Sequence, residues 1–186
     1  MNGSLLIWVV LALTIFWCVG LYNRLMRMRA RGLDALGSVE KYLRKYAIMV
    51  DAHLSEPGVV RAEWDGSDAV NEIWGDWEPL LKQLHSLGVA LNELHAAPFD
   101  VPMLMRMTGV FEELLNAWDF LCDQPSDLAG PVVPEVLKFQ WGVNTAKVQS
   151  ARGGFNQIMH KYNEAIAQFP ARIVVGVMRF SPAGQF

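Results

Sequence analysis

The stretch ARGGFNQIMHKYNEAIAQFP, residues 151–170, repeats itself every seven residues. Phe155-Asn156, Tyr162-Asn163 and Phe169-Pro170 each open with an aromatic, followed twice by asparagine and then by proline. Seven residues are close to two helical turns, so the three aromatics fall on one helix face. Upstream the register continues: Val148, Ala151, Phe155, Ile158, Tyr162, Ala165 and Phe169 step by three and four. That spacing predicts a helix from near Pro134 to Phe169, stopped by Pro170. Phe155, Tyr162 and Phe169 are then core positions on a helix-packing face. Asn156 and Asn163 sit beside them at its edge, where an amide can bond across to a neighbouring helix.

Three further apolar stripes have the same period. Leu36, Val39, Leu43, Tyr46, Val50 and Leu54 form one, ended by Pro57-Gly58, with Gly32 and Gly37 expected to loosen it. Val70, Ile73, Trp77, Leu80, Leu84, Leu87, Leu91 and Leu94 form the next. Ser67 is a candidate cap for it, and Pro79 is expected to kink or restart it. Leu104, Met107, Phe111, Leu114, Trp118 and Leu121 form the third. No convincing β alternation competes. Four amphipathic helices joined by short Pro/Gly connections predict an all-α antiparallel bundle.

Ser4–Tyr22 runs 19 residues without a charge in a chain of 186. As a helix it reaches roughly 28 Å, close to a bilayer's hydrocarbon core. A signal peptide would want a basic start and small residues at a cleavage site. Here MNGS carries no Lys or Arg, and the run ends in Leu21-Tyr22-Asn23. An uncleaved transmembrane helix is the expectation. Arg24, Arg27, Arg29 and Arg31 crowd its C-terminal flank, so the positive-inside rule puts the C-terminal domain in the cytoplasm. Residues 1–3 are then an extracytoplasmic stub, 4–22 the span, 23–32 a basic neck, 33–170 the bundle and 171–186 an apolar tail. Cys18 and Cys122 fall on different parts of this layout, which fits a reducing compartment.

Charge is segregated along the chain, whose net charge is −3. Residues 24–45 hold seven basic groups against two acids, a composition suited to anionic headgroups. Residues 46–137 hold sixteen acids against three basic groups, which argues against nucleic acid.

The N- and C-terminal motifs together look like one family. The pattern AR..FN..M..YN..I..FP, Ala151 to Pro170, resembles the C-terminal signature of the LemA family of bacterial membrane-anchored helical proteins, which usually has Tyr where this chain has Phe155. ARIVVGVMRF is similar to the family's apolar tail, and LYNRLMRMR after the span to its Tyr-Asn-x-Leu-x-x-x-Arg block. Val39–Val50 loosely matches its next helix. The family's frequent proline is missing around Ile48–Val50, and the resemblance stops at the edges of residues 60–137. It implies an outside stub, one span and a cytoplasmic bundle. It implies no reaction, since family members are mostly of unassigned biochemical role.

The residues themselves offer little chemistry. The positions three before His53, His85, His95 and His160 are Val50, Lys82, Asn92 and Gln157, so the Glu-x-x-His motif of di-iron bundles is absent. No Gly-x-Ser-x-Gly, P-loop or dinucleotide fingerprint occurs. We therefore expect no catalytic, cofactor or metal site and a non-enzymatic role. Tryptophan outside the span reads first as core; a surface Trp among Trp64, Trp74 and Trp141 would mark a contact. The tail, with Val175, Met178 and Phe180, has three outcomes open: packing on the bundle end, docking on a neighbouring subunit, or lying in the bilayer interface.

The expected function is a structural scaffold that self-associates at the bacterial cytoplasmic membrane. Its partners would be other copies and anionic headgroups. A single-copy adaptor in a complex with another membrane protein is the alternative, followed by a ligand carrier or enzyme with an interhelical pocket. An exposed apolar stripe on the first or fourth helix favours assembly. A closed bundle with a Trp-rich patch favours the adaptor, and a buried polar cluster in a sizeable cavity favours the third.

Overall fold

The computed structural model describes residues 2–55, 68–125, 132–178 and 180–186, with the backbone alone at 2–5, 68–74, 173–174 and 177. Trp64 and the Ser67 cap lie outside the described residues, as does the side chain of Trp74.

The chain is all-helical: α1 (Asn2–Leu54), α2 (Asp68–Ala96), α3 (Val101–Cys122), α4 (Glu135–Ala167) and a short α5 (Ala171–Val177). No strand occurs among the described residues. α1 packs along α4, α2 packs along α3, and α1 also touches α2.

α1 is one unbroken helix of 53 residues, about 80 Å long. Its N-terminal part contains a stretch long and apolar enough to cross a membrane, and none of that stretch is buried. Leu6, Ile7, Trp8, Leu13 and Phe16 are all exposed. From Leu25 onward the same helix turns into core: Leu36, Val39, Leu43, Tyr46 and Val50 are buried at the expected spacing. Gly32 does not loosen it. A Cβ at that position would meet Met159 and Phe99, so the glycine lets α1 and α4 approach closely. Gly37 has open space around it.

Pro79 lies inside α2, which runs through it without a break. Its ring is exposed, and the carbonyl of Gly75 that loses a helical partner belongs to an exposed residue that water can reach. Pro102 sits in the first turn of α3, where its missing N–H costs nothing.

The core is knit by aromatics from three helices. Trp118 of α3 stacks on Trp141 of α4 at 3.8 Å and 3°, and Tyr46 of α1 lies 4.3 Å from the Trp141 ring. Burial pushes the Tyr46 phenol up from its ordinary value, opposed by hydrogen bonds from Thr145 and Asn144. Its hydroxyl pairs with Thr145 Oγ1 at 2.7 Å. Asn144, buried among these rings, donates from Nδ2 to the Tyr42 carbonyl at 2.9 Å, a second polar tie between α1 and α4. Trp141 is therefore no surface contact: it shares the inward face of α4 with Leu137, Asn144 and Val148.

Candidate functional site

Phe155 and Tyr162 are buried two turns apart, as their spacing requires. Phe169 is not the third member of that face. α4 ends at Ala167 and Gln168 turns to an extended conformation, so the heptad register is broken before position 169, whose side chain is 84% exposed.

The two asparagines pair with something other than a helix. Asn163 accepts from the Ala183 N–H and donates to the Ala183 carbonyl, both at 2.9 Å. Asn156 does the same with Phe186, at 2.9 and 3.0 Å. A side-chain amide sets an N–H beside a C=O, the pattern a neighbouring β-strand residue would present. Seven residues on a helix rise about 10.5 Å, and three residues of extended chain cover about 10 Å. The seven-residue interval of the asparagines thus matches the three-residue interval between Ala183 and Phe186. α4 behaves as a two-rung ladder for the segment Ser181–Phe186, which runs antiparallel to it.

Other contacts fix the segment in register. The Tyr162 hydroxyl donates to the Ser181 carbonyl at 3.2 Å. The Gly184 N–H donates to the Phe99 carbonyl at 3.0 Å. A Cβ at Gly184 would lie 2.7 Å from Leu104 Cδ1 and 3.0 Å from Val101 Cα, so a larger residue there would have to push Leu104 and the start of α3 aside. Phe186 meets Phe155 edge-on at 5.2 Å, and Arg152 lies over the Phe186 and Phe111 rings at 5.3 and 5.7 Å. Burial raises the pKa of the Tyr162 phenol, with Arg29 acting the other way. A cleft of about 400 Å³ beside the segment is bordered by Arg29, Phe99, Asp100, Met159, Tyr162 and Pro182.

Within this chain the described part of the tail packs on the bundle. Val175 is buried within this chain, Phe180 is half-buried 6.0 Å from Tyr22, and Met178 is 42% exposed. Among the four arginines of the neck, Arg24, Arg27 and Arg31 are exposed. Arg29 is drawn inward over the Phe99 and Phe180 rings, at 5.2 and 6.0 Å, where it ties α1 to the tail. That contact has no signature in the sequence, because both rings come from distant segments.

The turn between α4 and α5 stands beside the exposed apolar stretch of α1. The two walls enclose a cleft of about 590 Å³ that includes Leu13, Trp17, Arg24 and Phe169. Reactive groups elsewhere are dispersed. His95 lies 3.6 Å from Glu40 and His160 3.3 Å from Glu164. Among the described residues no group of three or more His, Cys, Asp or Glu side chains is placed to hold a metal. Burial and three nearby carboxylates (Asp119, Asp123 and Glu135) push the Cys122 thiol up, against the pull of Lys138.

Fold and site define an all-helical protein with an extended segment clamped along α4 and one helix long and apolar enough to span a bilayer. A scan against family models gives no match, and comparisons with curated proteins and with solved structures give none either.

Proposed function

We propose that the chain is a LemA-like, single-span scaffold of the bacterial cytoplasmic membrane, with its bundle in the cytoplasm and copies associating side by side. The observation that carries the reading is the outward face of α4. Val136, Phe139 and Val143, spaced to share one helix face, are 68, 74 and 40% exposed. They point away from Leu137, Trp141 and Asn144, and the described residues leave them uncovered. An uncovered apolar stripe of this kind is what a contact between copies requires. Confinement to a membrane raises the effective concentration of copies, so weak contacts suffice.

The span is supported by the exposed apolar start of α1 and by its continuity with the bundle, which a cleavable leader would not need. Orientation rests on Arg24, Arg27 and Arg31 at its end. The adaptor reading wants a Trp-rich surface patch; among the described tryptophan side chains beyond the apolar stretch, Trp77, Trp118 and Trp141 are all buried. The pocket reading wants a polar cluster in a cavity. Of the core polar groups, Tyr46 pairs with Thr145 and Asn144 Nδ2 with the Tyr42 carbonyl, while Asn144 Oδ1 is buried without a hydrogen-bond partner; none of these residues lines either cleft.

The test is the particle mass of the full chain extracted with its native lipid. A discrete multiple of 20.9 kDa is expected, shifting to smaller particles in a Phe139→Glu, Val143→Glu variant. A monomeric wild-type particle would sink the scaffold reading.

A further inference from the structure

The cleft beside the apolar stretch has the form of a lipid site. On α1 it is lined by Leu13, Phe16, Trp17, Gly20, Leu21 and Arg24. These positions follow the i, i+3, i+4, i+7, i+8, i+11 pattern of a single helix face. The opposite wall is the end of α4 and the turn after it, with Ala165, Phe169 and Pro170. The chemistry is graded along the cleft. Arg24, the one charged group among its described lining residues, stands at one end, with Gln168 as the other strongly polar side chain; the rest is apolar or small.

From Arg24 to Leu13 the helix rises about 16 Å, close to one leaflet of a hydrocarbon core about 30 Å thick. If Arg24 is level with the headgroups, Leu13 is near the bilayer midplane. Phe169, 84% exposed, then stands in lipid alongside Phe16, which is 79% exposed. This removes the oddity of two large rings facing water. Gly20 sits midway along the α1 wall with no neighbour within 4 Å, where any larger side chain would project into the cleft.

Resting on the membrane reading above, we propose that this cleft binds one anionic phospholipid. An acyl chain lies between the two protein walls, and the phosphate is held at Arg24. Two walls distinguish the site from ordinary lipid lining a single helix. The bound lipid joins the anchor to the α4–α5 turn and so fixes the bundle against the membrane surface.

The experiment uses the full chain inserted into vesicles of equal parts phosphatidylglycerol and phosphatidylethanolamine, extracted gently and weighed by native mass spectrometry. One retained phospholipid per chain is expected, with the anionic lipid favoured about fivefold. Arg24→Gln should abolish that preference while the adduct remains. Gly20→Phe, which fills the cleft, should reduce the adduct about tenfold. Ile15→Phe, on the opposite face of the same helix, should leave it unchanged. Absence of a retained lipid in the wild type overturns the proposal. So does a ladder of adducts indifferent to Gly20→Phe, which is the mark of lipid coating the helix only. Failure of the chain to insert into vesicles at all would instead overturn the membrane reading on which the site rests.

Discussion

Replacing Asn163 with alanine removes both hydrogen bonds that hold Ala183 to α4 and leaves the helix otherwise intact. Asparagine gains little as a helix former, so alanine costs α4 nothing. Each neutral hydrogen bond contributes about 0.5–1.5 kcal/mol net, so the clamp should weaken by about 1–3 kcal/mol. Every 1.4 kcal/mol is a factor of ten, so the segment should open roughly 5- to 150-fold more often. Amide hydrogen exchange reads this directly. The Ala183 and Gly184 amides should lose protection by that factor, while amides of the α1 and α4 core keep theirs. Asn156→Ala should act similarly on Phe186. The two losses should fall short of additive, because a segment already released has no further bond to lose. Unchanged protection at Ala183 in Asn163→Ala would refute the ladder. Loss spread evenly over the whole bundle would show that the asparagine serves the core and not the segment.

Tyr162→Ala should lower bundle stability by about 3–5 kcal/mol, as for other large buried aromatics, and unchanged thermal unfolding would contradict its burial. Gly37→Ala should raise stability by about 1 kcal/mol, since the glycine is exposed, mid-helix and without neighbours; a lower melting temperature would show that this face touches something. Tyr46 and Tyr162 both have raised phenol pKa values, so the fold prefers their protonated forms. Their contribution is fully present below about pH 10 and is lost as pH rises beyond it, when the unfolded chain ionises first. Denaturant titrations should show that alkaline loss flattened in a Tyr46→Phe, Tyr162→Phe chain; an identical loss would assign it to other groups. Changing Arg24, Arg27, Arg29 and Arg31 to Glu should invert or scramble the orientation of the chain, and a C-terminal reporter that stayed cytoplasmic would refute the role given to these charges.

Much of the architecture is legible in the residues because burial imposes a period. The stripes Leu36 to Val50, Leu80 to Leu94, Leu104 to Leu121 and Val148 to Tyr162 need only step sizes of three and four. The failures share a different cause. Phe169 fits the heptad, but a period says nothing of where a helix stops, and α4 ends two residues short of it. Residue type alone makes Trp141 a candidate surface contact, while its place beside Leu137 and Asn144 sends it inward. Asn156 and Asn163 are expected to bond to a helix and do not, because local spacing carries no information about which distant segment arrives. One clue does lie in the spacing: two amides at a seven-residue interval match two residues at a three-residue interval in extended chain.

α1 carries both the apolar stretch and half of the core without a joint between them. Such a helix is a lever. From the level of Arg24 to Leu54 it extends about 45 Å, so tilting the apolar part by about 20°, the average for membrane helices, displaces the far end by about 15 Å relative to an upright helix. α4 is bound along the same rod through Tyr46, Asn144 and the packing at Gly32, and would move with it. On the proposed reading, in which this stretch spans a bilayer and copies meet through α4, a change of tilt that relieves hydrophobic mismatch would alter the angle at which the outward face of α4 meets a second copy.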